Sequence, residues 1–149
     1  MNIEWRDIDS VKPYPANARK NDDTVAQIAE SLRKYGWQQP IVVDPQSVIV
    51  VGHTRHKAAR ELGYSQVPVV VAELDNKQAR AYRIMDNKSH DYTRWDVEEL
   101  KYELESIDDV EATQFSLKEL DEILHPEFGL IDGKKQGRLR GVHRVILEC

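Results

Sequence analysis

Apolar and polar residues alternate along Ile3-Glu4-Trp5-Arg6-Asp7-Ile8, the period of a strand with one buried face. Two prolines and an asparagine between Lys12 and Lys20 break that period and predict an irregular loop. The spacing then becomes helical. Val25, Ile28, Ala29, Leu32 and Tyr35 share one face, Asp22 or Asp23 offers an N-cap, and Gly36 stands where a helix ends. Pro40–Val43 and Val48–Val51 flank Asp44-Pro45-Gln46-Ser47, predicting two strands joined by a tight turn. Thr54 to Leu62 reads as a short helix stopped by Gly63. Val67–Val71 reads as a strand with its proline near the start, where it costs little. Further helices are expected from Lys77 to about Asn87, capped by Asn76, from Asp96 to Ile107, and from Leu117 to Leu124, capped by Ser116. The order β-α-β-β-α-β-α-α-α predicts an α+β fold with a small mixed sheet.

Length and charge divide this pattern. A chain of 149 residues suits one domain, or one with an appendage, and 40% hydrophobic residues suffice for a core. No run approaches the ~20 apolar residues of a membrane span. The start, MNIEWRDIDS, lacks the basic and apolar regions of a secretory signal. The single cysteine, Cys149, excludes a disulfide scaffold, a Cys-type zinc site and a catalytic thiol in the body of the chain. A cytoplasmic protein with no membrane partner is expected. The net charge of −5 is uneven: residues 1–90 carry +2, residues 91–125 carry −9 and residues 126–149 carry +2. Three parts are therefore expected: a domain over 1–90, an acidic helical appendage over 91–125 and a basic tail over 126–149. The acidic part repels a phosphate backbone, so the first 90 residues are the better surface for nucleic acid. The Val142–Leu147 run in the tail reads as a strand, an interface segment or foreign sequence.

The chemistry concentrates where an apolar run meets the turn Gly52-His53-Thr54-Arg55-His56. Glycine at a strand-to-helix junction permits a tight turn and close approach of a ligand. The first helical amides have no intrahelical partner, and together with the helix dipole they bind anions. Thr54 adds a hydroxyl, Arg55 a forked cation, and His53 and His56 further donors. Phosphate is the natural ligand, although the chain holds no GxxxxGK[ST] and no GxGxxG. A second account stays open, in which Gly52 turns the chain and Thr54 only caps the helix.

These residues and others in register resemble the ParB/sulfiredoxin-like family, also called the ParB-like nuclease domain. Pro13-Tyr14-Pro15-Ala16-Asn17-Ala18-Arg19 resembles its first loop. Ile28-Ala29-Glu30-Ser31-Leu32, Gly36 and Gln39-Pro40-Ile41-Val42-Val43 resemble its helix–Gly–Gln-Pro–strand segment. Gly52 to Ala58 resembles the Gly-Glu-Arg-Arg-x-x-Ala phosphate motif, Val67–Val71 the following strand, and Asp86-Asn87-Lys88 the Glu-Asn-x-Gln-Arg motif. The resemblance covers residues 3–90 and implies a nucleoside triphosphate, CTP or ATP, held with Mg²⁺. Gly52, His53, Thr54, Arg55, His56 and Arg19 would hold phosphates, Gln39 and Pro40 would border the nucleotide, and Asp86 and Asn87 would face the metal. Two residues depart from the pattern. His53 stands where the family has Glu, which puts CTP specificity in doubt, and Asp86 is one methylene short of the usual Glu. Sulfiredoxins carry cysteine where this chain has His53, so their chemistry is excluded.

Function divides into three readings. The first is a nucleotide-binding switch of a DNA-associated bacterial or phage system, dimerising or slowly hydrolysing its nucleotide, as in chromosome partitioning. The helices after residue 90 resemble a region of phage ParB-like proteins, some continuing into a DNA methyltransferase; this chain has no Asp-Pro-Pro-Tyr motif. The second is a small-molecule kinase or nuclease of the same fold, in whose kinase branch Glu30 would be the base, although the residue reads more simply as a solvated helix position. The third is an adaptor that ignores nucleotides and binds protein through the acidic helices. Asp86-Asn87 also reads as a solvated helix end, Arg19 and Lys20 as a solvated loop, and Trp37 as an edge-of-core ring or a base-stacking platform. The five histidines show no zinc spacing.

Overall fold

The computed structural model describes residues 1–17, 20 and 22–126. Four strands form one sheet in the order β1-β4-β2-β3: β1 (Glu4–Asp7), β2 (Ile41–Val43), β3 (Ile49–Val51) and β4 (Gln66–Val71). β1 runs antiparallel to β4, with Trp5 opposite Pro68. β2 runs parallel to β4, with Ile41 opposite Val69, and antiparallel to β3. The sheet is mixed because β2 and β3 are joined by a tight turn, whereas β2 and β4 are joined through β3 and a helix.

Five helices follow the expected order: α1 (Asp22–Tyr35), α2 (His53–Glu61), α3 (Asn76–Ser89), α4 (Val97–Ser106) and α5 (Leu117–Leu124). Ile8, Val11, Ile41, Val43, Ile49, Ala59, Val67 and Val69 form one buried cluster. Val25, Ala29 and Leu32 of α1 close on Ala58 of α2 in a second. Trp37 packs against both and meets Tyr64 edge-on at 5.7 Å, so it is an edge-of-core ring.

Two details depart from the pattern reading. Tyr35, the last residue of α1 before Gly36 (φ +70°), is exposed and not part of the buried face. The cap of α3 is Asp75. Its carboxylate accepts from the Gln78 amide at 2.9 Å, and the Gln78 side chain accepts the Asp75 amide at 3.0 Å, a reciprocal capping box. The same box opens α5, between Ser116 and Glu119.

The chain divides into two compact units, residues 1–93 and, among the described residues, 94–126. The first contains the sheet and α1–α3. In the second, α4 packs on α5, Leu104 and Leu120 are buried, and Trp95 lies 5.8 Å from Phe115. No helix of the described residues is long and apolar enough to cross a membrane. The basic tail beyond residue 126 lies outside the described residues.

Candidate functional site

β3 delivers the chain to Gly52, whose φ of +108° belongs to the left-handed region that glycine tolerates. A Cβ there would sit 3.4 Å from both Cα and Cγ1 of Ile41. The backbone therefore lies close against β2 before α2 begins. The first rung of α2 runs from the His56 amide to the Gly52 carbonyl at 3.0 Å, so the amides of residues 53–55 precede the hydrogen-bonded ladder. Gly52, and not Thr54, is the N-cap, and it brings no side chain to cap with.

This helix start forms one wall of a groove of about 430 Å³. His53, Thr54 and Arg55 line it from α2. Asp86, Asn87 and His90 line it from α3 and the turn beyond. Asn17, Lys20 and the α1 residues Thr24, Gln27 and Ile28 line it too, and Val50, Val51 and Gly52 complete it. The Arg55 guanidinium donates to the Gln39 side-chain oxygen, which brings Gln39 to the site through Arg55. Burial pulls the Arg55 guanidinium below its usual range, and Asp86 opposes that by attraction. Pro40 is half-buried at the entry to β2 and does not line the groove.

Asp86 and Asn87 occupy the last turn of α3. The Asp86 side chain is about a third exposed and lies 4.0 Å from His90 Nε2. Among the described residues no group of three His, Cys, Asp or Glu side chains would hold a metal ion on its own. A carboxylate and an amide oxygen fit Mg²⁺ as donors that leave the rest of its octahedron to water and phosphate.

The two histidines behave differently from the expected pair of donors. His53 Nε2 accepts the Tyr14 amide at 3.2 Å, which fixes a neutral ring protonated at Nδ1. Desolvation first, and then repulsion of the charged ring by the Arg83 guanidinium, lowers its pKa to about 4. His56 is only 1% exposed and sits in the core, with Nε2 3.2 Å from the Ile8 carbonyl. The amide of His56 is already committed to Gly52. The expectation that His56 holds phosphate is therefore corrected: neither of these donors is available to a ligand.

Glu30 is exposed on α1, pairs with Arg33 and does not line the groove. Arg19 lies outside the described residues. Sequence reasoning passed over Arg83, which is 6% exposed. Its Nε donates to the Ile49 carbonyl at 2.8 Å, a terminal nitrogen lies 3.8 Å from Asp44, and its guanidinium lies 3.9 Å from the centroid of the Tyr14 ring. Asp44 is itself buried and accepts the Gln46 and Val48 amides at 3.0 and 2.9 Å, holding the β2–β3 turn. The spacing Arg83, Asp86, Asn87, at i, i+3 and i+4, was the available signal.

Comparison with known proteins agrees with this architecture. The model of the ParB N-terminal domain matches residues 2–88. The ParB-like nuclease domain-containing protein YnaK of Escherichia coli is 38% identical over 72 residues, which are 48% of this chain and 83% of that protein. A probable chromosome 2-partitioning protein ParB of Deinococcus radiodurans is 39% identical over 102 residues, 60% of this chain but 35% of that one. This chain thus spans about a third of that partitioning relative. A crystal structure of a C-terminally truncated chromosome-partitioning protein ParB from Caulobacter crescentus, complexed with CTP-gamma-S, superposes with a TM-score of 0.66 at 21% identity. That match covers 96% of this chain and 87% of the other.

Proposed function

This chain belongs to the ParB N-terminal domain family, and we propose that its groove binds a nucleoside triphosphate with Mg²⁺, serving as the nucleotide-responsive module of a DNA-associated system. One observation carries this reading. Gly52, at a φ that favours glycine and against the β2 backbone, opens a helix whose first amides and Arg55 line the same groove as Asp86 and Asn87. Anion donors and a carboxylate–amide pair in one groove match the two ends of a metal–triphosphate. Gly52, His53 through its backbone amide, Thr54 and Arg55 take phosphate, with Gln39 bracing Arg55. Asp86 and Asn87 supply oxygen donors to the metal, whose role when bound is to neutralise phosphate charge. The CTP-gamma-S complex of the Caulobacter relative supports CTP as the first base to try. The DNA association rests on the partitioning relatives. Residues 1–93 are a better surface for nucleic acid than the acidic helices of residues 94–126, which repel phosphate.

A thermal-shift panel of CTP, ATP, ADP, GTP and UTP, with and without Mg²⁺, tests the proposal. A ligand selective for the folded state at a hundredfold excess over Kd adds about 2.7 kcal/mol of stability. A Mg²⁺-dependent shift with one triphosphate is expected. No shift with any nucleotide at millimolar concentration would reject the reading and favour the adaptor. A kinase or nuclease reading gains nothing from Glu30, which is exposed, pairs with Arg33 and is not among the lining residues.

A further inference from the structure

We propose that Arg83 is a positioning residue. It locks the 12–17 loop onto the phosphate turn through the Tyr14 ring and so fixes the loop wall of the groove relative to the α3 wall. The inference rests on the nucleotide reading above, but its geometry stands apart from it.

The loop leaves the sheet edge at Lys12, whose carbonyl accepts the Ile49 amide at 2.8 Å and whose amide reaches Ser47 at 2.9 Å. Arg83 takes the other side of the same residue, donating to the Ile49 carbonyl. Between these two anchors the Tyr14 ring lies on the Arg83 guanidinium at 3.9 Å. Seating the ring sets the Tyr14 backbone, and its amide then donates to His53 Nε2. From Tyr14 the chain turns, with the Asn17 amide on the Tyr14 carbonyl at 3.2 Å, and delivers Asn17 and then Lys20 to the groove. On the helix side, Asp86 and Asn87 follow one turn after Arg83. A single buried side chain therefore touches the strand that feeds Gly52, the loop that carries Asn17, and the helix that carries the metal-side residues. It touches none of the space a ligand would fill: Arg83 does not line the groove.

Removing Arg83 itself would also strip Asp44 of its partner and risk the fold, so the test acts on the ring. Tyr14→Leu removes the cation–π face, and Tyr14→Phe keeps it. In the full chain, amide hydrogen exchange at residue 14 is read by NMR beside calorimetric titration with Mg²⁺-CTP. Tyr14→Leu is expected to speed exchange at residue 14 and to weaken nucleotide binding about tenfold each, with the thermal midpoint nearly unchanged; Tyr14→Phe is expected to restore both. Unchanged exchange in Tyr14→Leu would overturn the locking role. Faster exchange with unchanged affinity would overturn the link to the groove. Should the wild-type chain bind no triphosphate, the functional reading falls, while the exchange comparison still decides whether Arg83 and Tyr14 lock the loop.

Discussion

Replacing Gly52 by alanine places an L residue at φ +108° with its Cβ 3.4 Å from the Ile41 backbone. The strain is expected to cost about 1–3 kcal/mol, read as a lower urea midpoint, and to open the turn proposed to bind phosphate. His53 gives a second expectation at this scale. Its folded pKa of about 4 lies below the unfolded value of 6.5, so the unfolded state binds the extra proton between them. The contribution is complete above pH 6.5 and is lost as pH falls toward 4. His53→Gln keeps an acceptor for the Tyr14 amide without titrating, and its melting temperature should fall less steeply over that window; an identical slope would refute the assignment. Gly52 was legible in the sequence because the lack of a Cβ at a strand-to-helix junction has few uses. His56 was not, because its role depends on the Ile8 carbonyl, 48 residues away in the chain.

At the scale of elements, the β2–β3 turn and α3 are tied through Asp44 and Arg83. Asp44→Ala removes the acceptor of two turn amides and leaves a buried guanidinium unpaired, a loss of about 3 kcal/mol. Asp44→Asn retains one acceptor oxygen and should cost less. Chemical denaturation of the two variants checks the order, and equal losses would show that only charge matters. The helices themselves were readable from their period and caps. The misplaced cap of α3 was readable too, since Asp75 and Gln78 have the spacing of a capping box while Asn76 lacks a glutamine at that distance. Of Arg83 only its helical spacing to Asp86 and Asn87 was readable; its burial was not, because an arginine on a helix looks solvated until the loop and strand that cover it are in place.

At the scale of the molecule, both apolar clusters draw only on residues before 93. A chain ended after Thr93 is therefore expected to unfold cooperatively and to keep the nucleotide-dependent thermal shift of the full chain; a shift lost with a normal melt would assign residues 94–126 a part in binding. The charge division seen in the sequence follows the same seam, with the acidic residues concentrated in the second unit. The central claim is that the Gly52–Arg55 turn and the Asp86–Asn87 pair take the two ends of one Mg²⁺–triphosphate. Following the backbone amides by NMR during a titration with Mg²⁺-CTP tests it most directly. The account predicts saturable shifts at residues 52–55, 86–87, 17 and 20, with the first group abolished in Arg55→Ala. Shifts confined to residues 94–126, or none at millimolar nucleotide, would contradict it.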